Sequence, residues 1–292
     1  MAKKEKNIII GNRELPILLD IFYEDWGFKL PVVIYAHGFN GFKDWGNFDL
    51  IADKFARERF TFIKFNFSHN GTTADDPESF GNLEAFGQNN YTKQLADLKM
   101  VVDWVTDPQN PYSHVIDANK INLIGHSMGG GISILFANED ARIKKIIGWA
   151  SIGECKTPWG NWPAAKINEW KRTGVEYYLN GRTKQQMPLY YQLYEDFQQN
   201  QERLNIQKAI TNLKIPILLC HGLLDEAVPI DIAYQLKEWQ PKAQLFKVES
   251  DHVFGRTHPW LQENLPDEME EVVNISIIFL KRDRFEFVDV RF

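Results

Sequence analysis

The chain has 292 residues, of which 44% are hydrophobic and 25% are charged, and its formal net charge is −6. This length accommodates one large domain or two modest ones, and the composition is that of an ordinary globular protein. The negative charge, without long single-sign runs, argues against nucleic acid as a partner. The apolar runs are too short to span a bilayer, so the sequence predicts no membrane partner.

The N-terminus and the cysteines bear on location. Lysines and the short run Ile8–Ile10 open the chain, but Arg13 and Glu14 follow at once, so we expect no export signal. Cys155 and Cys220 are far apart in sequence and have neither a metal-ligand spacing nor a disulfide framework. The sequence therefore predicts reduced thiols and a cytoplasmic protein.

Short β-rich runs alternate with amphipathic helical patterns along the chain. Ile8–Ile10 and Leu15–Tyr23, on either side of a Gly-Asn turn, predict an opening antiparallel hairpin. The other predicted strands are Pro31–Ala36, Phe60–Phe67, Ile121–Ile124, Lys145–Ala150, Ile215–Cys220 and Gln244–Val248. The predicted helices are Phe48–Arg57, Asn89–Val105, Met128–Asn138, Ile230–Trp239 and Asp267–Lys281. This alternation is typical of an α/β fold, with a mostly parallel central sheet of about eight strands flanked by helices.

Residues 152–213 interrupt the alternation, because this segment is rich in Trp and Tyr and has no convincing strand pattern. We interpret it as a helical cap inserted between a first core part, 1–151, and a second, 214–292. Ordinary covering helices whose aromatic side chains pack into the core are the alternative. The aromatic residues that we single out as candidates for substrate binding are Trp159, Trp162 and Tyr190.

The tail Arg284–Phe292 is a candidate extra strand and could mediate a homodimer.

A G-x-S-x-G motif occupies residues 125–129, directly after the strand Ile121–Ile124 and directly before a helix. This strand–turn–helix context is typical of a nucleophile elbow, which places Ser127 at the tip of a sharp turn. Met128 opens the helix, so its backbone N–H points toward a negative charge forming beside Ser127. A plain glycine-rich turn is the alternative interpretation.

The sequence His-Gly-Phe at residues 37–39 ends the first long apolar strand. An acyl-transfer enzyme needs two N–H donors aimed at the developing oxyanion, and the loop after this strand normally supplies one. The backbone N–H groups of Phe39 and Met128 are our candidates. We expect His37 to support the loop through a hydrogen bond rather than to act as a base.

A serine hydroxyl needs a histidine base that is oriented by a carboxylate. Asp225 lies in the turn after the strand Ile215–Cys220, and His252 follows the strand Gln244–Val248. The carboxyl ends of parallel strands meet at one edge of the sheet, where Ser127 also lies. Asp225 and His252 are therefore the candidate acid and base.

Three other residues compete for these roles. Glu226 and Asp251 are rival acids, and His258, which lies farther from its strand, is a rival base. We prefer Asp225 because its spacing from the strand matches the expected acid position, and His252 because of its motif context.

The sequence predicts neither a metal nor a cofactor. It has no H-E-x-x-H motif, no paired cysteines and no Asp/His set with ligand spacing. It also has no G-x-G-x-x-G after the first strand and no P-loop motif.

Together these motifs resemble the α/β-hydrolase superfamily over about residues 31–281. The His-Gly-Phe loop, the Gly-His-Ser-Met-Gly-Gly elbow and the two later turns are similar to one branch of it. That branch contains cinnamoyl/feruloyl esterases, monoacylglycerol-lipase-like enzymes and serine aminopeptidase-like hydrolases. The resemblance implies a triad of Ser127, Asp225 and His252, with an oxyanion hole formed by Phe39 and Met128.

One loop departs from that branch. Where relatives carry an acidic, glycine-rich turn of the type D-x-x-G-x-G, residues 66–71 read Asn-Phe-Ser-His-Asn-Gly. This departure concerns the substrate, whose details do not follow from the resemblance. It does not concern the triad, which does not use this loop.

The sequence thus predicts a serine hydrolase that acts on small to medium carboxylic esters, with aryl and hydroxycinnamoyl esters as candidates. An aminopeptidase is the second hypothesis, and a non-catalytic binding protein with a hydrolase-like pocket is the third. An aminopeptidase would need cap carboxylates to bind a substrate ammonium. The available ones are Glu154, Glu169, Glu176, Glu195 and Asp196.

Overall fold

The computed structural model describes residues 2–11 and 14–282. The strands β1 to β10 in this part of the chain are Lys3–Ile10, Ile17–Tyr23, Leu30–Ala36, Thr61–Asn66, Ile116–His126, Ile143–Trp149, Val175–Leu179, Gln186–Tyr190, Ile217–Gly222 and Gln244–Val248. The helices α1 to α9 are Phe48–Arg57, Leu83–Gly87, Tyr91–Thr106, Met128–Glu139, Ala164–Thr173, Gln192–Gln199, Ile206–Asn212, Ile230–Trp239 and Asp267–Lys281.

Eight strands form the central sheet, in the order β1-β2-β4-β3-β5-β6-β9-β10. β1 and β2 pair antiparallel, as the predicted opening hairpin requires, and β2 pairs antiparallel with β4. The remaining neighbours are parallel. The predicted α/β fold with a mostly parallel sheet is confirmed.

The apolar strands form two cores, one on each face of the sheet. Successive side chains of a strand point to opposite faces. In β3, Val33 and Tyr35 accordingly pack into the cluster covered by α1 and α9, whereas Ile34 packs into the cluster covered by α3 and α4. Because both faces are covered, β3 is buried almost along its whole length.

The segment between β6 and β9 contains α5, α6 and α7 and also two strands, β7 and β8. The prediction that this segment has no strand is therefore wrong. β7 and β8 form a separate antiparallel hairpin, in which Val175 pairs with Tyr190. Each strand has only five residues, too few for the alternating pattern to stand out from the surrounding aromatic residues. The predicted extra strand in the tail Arg284–Phe292 lies outside the described residues.

Candidate active site

Ser127 stands between β5 and α4, at the carboxyl edge of the sheet. Its φ of 55° lies in the left-handed region, which costs free energy for a side chain of this kind. A Cβ atom at Gly125 would lie 2.2 Å from the carbonyl oxygen of Gly129, so only glycine allows this turn to close. The backbone N–H of Ser127 donates to the carbonyl of Trp149 at 2.8 Å, which ties the elbow to β6.

Asp225 and His252 form a hydrogen-bonded pair, with 2.8 Å between Asp225 Oδ2 and His252 Nδ1. The other oxygen, Oδ1, accepts hydrogen bonds from the backbone N–H groups of Ala227 at 2.9 Å and Val228 at 2.8 Å. Burial alone would raise the pKa of Asp225, but the hydrogen bonds from His221, His252 and Val228 hold this pKa well below its usual value. The carboxyl is therefore ionised at neutral pH.

Two further histidines support this pair. His126 donates from Nε2 to the carbonyl oxygen of His252 at 2.9 Å, and the two rings lie 4.8 Å apart. His221 donates from Nε2 to the carbonyl of Val228 at 2.7 Å and lies 3.3 Å from Asp225 Oδ2. The sequence analysis did not single out these contacts, although both histidines stand beside motif residues.

The rival base His258 and the rival acids Asp251 and Glu226 form no acid–base pair with one another. His258 Nδ1 accepts from the backbone N–H of Gly46 at 3.1 Å, and no described carboxylate forms an ion pair with it. Asp251 accepts from the N–H groups of its own turn, and Glu226 is exposed. Of the acids and bases that the sequence offers as candidates, Asp225 and His252 are therefore the pair that the structure joins by a hydrogen bond.

Ser127 and His252 form no hydrogen bond with each other in this structure. Ser127 is 8% exposed and its hydroxyl bonds no described residue. The contact between His126 and His252 nevertheless places the histidine beside the elbow. Hydrogen bonds between a nucleophile and its base are often long or absent without substrate.

The loop after β3 packs closely against the elbow. A Cβ at Gly38 would lie 3.0 Å from the Cβ of Ser127, so glycine permits this approach. The N–H groups of Phe39 and Met128 donate to no described residue, and the two residues line one narrow pocket of about 10 Å³. A space of this size holds about one water molecule.

The loop is supported from behind by His37, as the sequence predicts. The backbone N–H of Phe67 donates to Nε2 at 3.3 Å, and Nδ1 donates to the carbonyl of Gly38 at 2.9 Å. Burial lowers the pKa of His37 to about 4, so the ring is neutral and in one tautomer.

None of the three aromatic candidates lines the Phe39–Met128 pocket, although Trp159 and Tyr190 lie behind residues that do. Trp159 is 4% exposed and its ring packs against those of Tyr91, Trp170, Tyr194 and Phe197. Trp162 packs against Trp170 and lies under the ammonium group of Lys166. Tyr190 donates its hydroxyl hydrogen to Glu84 at 2.5 Å. The residues that line the pocket include none of the three.

Two aromatic residues that the sequence analysis missed contact Phe39 in the loop after β3, which we call the oxyanion loop because Phe39 is a candidate oxyanion donor. The ring of Phe39 lies 5.7 Å from that of Phe86 and 5.8 Å from that of Tyr178, on β7. The Tyr178 hydroxyl donates a hydrogen bond to Asn40 Oδ1. No motif could predict this contact, because it joins residues 138 positions apart in sequence.

Three aspartates, Asp20, Asp44 and Asp49, bring their carboxylates within 4.8 Å of one another. The ammonium group of Lys64 binds all three, and that of Lys43 binds two of them. These lysines already supply the positive charge at the centre of the cluster, so the arrangement does not fit a metal ion. In the described part of the chain, no helix combines the length and apolar character required to cross a membrane.

The BD-FAE family model matches residues 82–240, a range that includes Ser127 and Asp225 and ends before His252. No curated protein matches the sequence.

Several solved structures have the same fold. Est1E from Butyrivibrio proteoclasticus with bound ferulic acid is 19% identical, with a TM-score of 0.66 and coverage of 94% of this chain and 97% of that one. The α/β hydrolase GrgF from Penicillium sp. sh18 is 20% identical, with a TM-score of 0.65 and coverage of 96% and 98%. A puromycin-hydrolysing peptidase from Mycobacterium tuberculosis is 13% identical, with a TM-score of 0.65, and the match covers 96% of this chain but 40% of that one.

At these identities the likeness to solved structures establishes the fold, and the family match, over more than half of the chain, establishes the family. The chain belongs to the BD-FAE family of the α/β-hydrolase superfamily.

Proposed function

We propose that the protein is a serine carboxylic-ester hydrolase in which Ser127, His252 and Asp225 are nucleophile, base and acid. The observation that carries the proposal is the hydrogen bond between the buried Asp225 and the partly exposed His252, beside a serine in a strained elbow. Family membership supports it, as does the fold shared with an esterase that binds ferulic acid.

The hydrogen bond to Asp225 holds the proton of His252 on Nδ1, which leaves Nε2 free to accept the proton of Ser127. The resulting alkoxide attacks the ester carbonyl, while the ionised Asp225 stabilises the imidazolium. The hydrogen bond between Ser127 and His252 forms when substrate binds. His252 then protonates the leaving alcohol, and a water molecule repeats the sequence to release the acid.

The charge that develops on the carbonyl oxygen needs donors that are already in place. The free N–H groups of Phe39 and Met128 are the candidates, because both border the same narrow pocket. Each would lower the barrier by about 3 kcal/mol, as single oxyanion donors do elsewhere.

We further propose that residues 152–213 act as a cap over the site, between the core parts 1–151 and 214–292. The contact from Tyr178 to Asn40 supports this, since it brings the β7–β8 hairpin to the oxyanion loop. Trp159 is buried between aromatic side chains of the cap and Tyr91 of α3, which favours a packing role over substrate contact. The partner is a small-molecule ester, and no cofactor takes part in the mechanism.

The aminopeptidase hypothesis loses support in the cap, because most of its carboxylates have partners. These pairs are Glu154 with Lys156, Glu169 with Arg172, Glu176 with Lys166, and Asp196 with Thr92. A substrate ammonium would have to displace them.

The direct test combines turnover with labelling. We expect the protein to cleave 4-nitrophenyl acetate and butyrate and to leave aminoacyl 4-nitroanilides intact. A fluorophosphonate, which reacts well only with an activated serine, should form an adduct on the peptide that contains Ser127. Cleavage of the anilides alone would support the aminopeptidase. Absence of both turnover and adduct would contradict the proposal and favour a non-catalytic binding protein.

A further inference from the structure

An open groove of about 570 Å³ begins beside the proposed catalytic residues. One wall contains Asn40, the residue after Phe39, and another contains Val253, the residue after His252. The turn between β7 and β8 forms the third wall. We call this space the cationic groove and define it by Asn40, Tyr178, Arg182, Arg256, Thr257 and His258.

Arg256 lines this groove and carries a buried positive charge. Its side chain is only 2% exposed, and the guanidinium lies 5.4 Å from the ring of Trp45 and 5.2 Å from that of Phe48. Nε donates to the carbonyl of Val253 at 3.1 Å, but Nη1 has no hydrogen-bond partner. No described carboxylate lies within 4.0 Å of the guanidinium. An unpaired buried charge is costly, so the guanidinium favours an anion nearby; because Nη1 is itself buried, it acts through its charge rather than by direct contact.

Arg182 adds a second positive charge from the β7–β8 turn. Its guanidinium lies 5.4 Å from the ring of Phe42 and 5.9 Å from that of Phe80, which holds it at the groove. It too forms no ion pair with a described carboxylate. Burial, followed by the charge of Arg182, lowers the pKa of His258, so that histidine stays neutral.

The neutral side chains of the groove present hydrogen-bond donors. Asn40 Oδ1 already accepts from Tyr178, which leaves the amide N–H groups of Asn40 available. His258 Nδ1 accepts from Gly46, so Nε2 carries the ring proton. Among the described residues that line the groove there is neither Asp nor Glu. The exposed guanidinium of Arg182, together with these donors and the buried charge of Arg256, matches a carboxylate, which offers only acceptors and binds guanidinium in a fork.

We propose that the cationic groove binds a carboxylate on the substrate, so that the enzyme prefers esters that carry an acidic group. This inference rests on the proposed ester hydrolysis and narrows its substrate class. His252 delivers a proton to the leaving alcohol, and the groove starts at the next residue, Val253. The acidic group can therefore lie on the acyl half or on the alcohol half of the ester.

Two matched pairs of substrates test the inference and show whether the acidic group belongs on the acyl half or on the alcohol half of the ester. The first compares the mono-4-nitrophenyl ester of adipic acid with 4-nitrophenyl hexanoate, and the second compares 3-carboxyphenyl acetate with phenyl acetate. In the wild type we expect kcat/KM for at least one acidic ester to exceed that of its neutral partner by about tenfold, since its carboxylate gains charge-assisted hydrogen bonds in the groove. The preference should weaken as ionic strength rises.

Arg182→Gln should reduce this acidic-to-neutral ratio at least about fivefold. Lys184→Gln is the matched control, because it removes the same charge from the same turn at a residue that does not line the groove. It should leave the ratio unchanged. If the wild type cleaves neutral esters equally well, or if the two variants change the ratio alike, the inference is wrong while the proposed function stands.

A binding measurement separates the two claims if no ester is cleaved. Ligand-observed NMR would compare adipate with its neutral diamide. Tighter binding of adipate that is lost in Arg182→Gln and kept in Lys184→Gln would support the groove even if the proposed function failed. Equal binding of both compounds would overturn the inference.

Discussion

At the scale of the residue, Asp225 divides its two oxygens between separate tasks. Oδ1 accepts from two backbone N–H groups and fixes the carboxylate, and Oδ2 faces His252 at 2.8 Å. An asparagine at this position can keep the first set of hydrogen bonds. It would turn an N–H group toward Nδ1 of His252 and so favour the wrong tautomer of the ring.

We therefore predict that Asp225→Asn lowers kcat for ester hydrolysis by about 10³- to 10⁴-fold, with the fold retained. Steady-state kinetics and circular dichroism check both parts. Glu226→Gln, a change of the same kind at the exposed neighbouring residue, serves as control and should keep kcat within about twofold of the wild type. Equal losses in the two variants would remove Asp225 from the mechanism.

Residues next to strand ends are the ones that sequence locates best. Ser127, Asp225 and His252 can be proposed from sequence because parallel strands present their carboxyl ends at one edge, where functional turns are common; their catalytic roles stay predictions. Arg182 and Arg256 could not be named. Their proposed role depends on having no carboxylate partner among the described residues, which becomes visible only when distant segments are brought together.

At the scale of the element, the turn between β5 and α4 depends on the lack of a side chain at Gly125. The nearest atoms to an added Cβ are backbone atoms of Gly129 and Gly130, at 2.2 to 2.6 Å, which cannot move independently of α4. We predict that Gly125→Ala lowers the free energy of unfolding by about 3 kcal/mol.

Urea unfolding measures this loss. Gly181→Ala is the control, because a Cβ there would meet nothing within 4 Å, and it should change the free energy of unfolding by no more than about 0.5 kcal/mol. A Gly125→Ala protein as stable as this control would show that the elbow is not as tight as described.

The β7–β8 hairpin acts on the oxyanion loop through Tyr178. Removing the hydroxyl leaves Asn40 Oδ1 without its donor, a change worth about 1 kcal/mol. We predict that Tyr178→Phe lowers kcat about fivefold with little change in KM for a neutral ester, since the loop then holds Phe39 less firmly. Steady-state kinetics with 4-nitrophenyl butyrate would measure both kcat and KM.

Tyr177→Phe, at the exposed neighbouring position, is the control and should leave kcat unchanged. An unaltered kcat in Tyr178→Phe would show that the hairpin does not position the loop.

Elements with long or clear patterns were predicted well. The bounds of α1, α8, α9 and β10 agree with the sequence prediction, because their apolar spacing or strand composition extends over the whole element. The β7–β8 hairpin was missed, since its strands are short and their pairing depends on packing against α2 and α5 rather than on local pattern.

At the scale of the whole molecule, a buried network of charges joins the antiparallel edge of the sheet to the loop that follows β3. Lys64 on β4 binds Asp20 on β2 at 3.1 Å, Asp49 on α1 at 2.6 Å, and Asp44 in the loop. Burial opposes ionisation of Asp44 and Asp49, but Lys64 and its neighbouring lysines hold both pKa values below their usual range. The network fixes the segment that follows the oxyanion loop.

We predict that Lys64→Met lowers the free energy of unfolding by about 3 kcal/mol at neutral pH, because it removes the buried cation that binds all three carboxylates and leaves only Lys43 and the partly exposed Lys6 to balance their charge. Since folding lowers the pKa values of Asp44 and Asp49, their ionisation stabilises the protein above about pH 4, and this effect is lost as pH falls further. The difference between wild type and variant should therefore narrow in acid.

Chemical denaturation at several pH values measures this difference. Lys4→Met, at an exposed residue 3.4 Å from Asp49, should cost no more than about 1 kcal/mol at any of them. A loss in Lys64→Met that is as small as this would show that the buried network contributes little.

The most direct test of the account is hydrolysis of 4-nitrophenyl butyrate by Ser127→Ala beside the wild type and Ser113→Ala, a serine outside the site. The account predicts that kcat falls at least about a thousandfold in Ser127→Ala and is unchanged in Ser113→Ala, with the same thermal unfolding in all three proteins. If Ser127→Ala keeps ester hydrolysis within tenfold of the wild type, Ser127 is not the nucleophile and the central claim is contradicted.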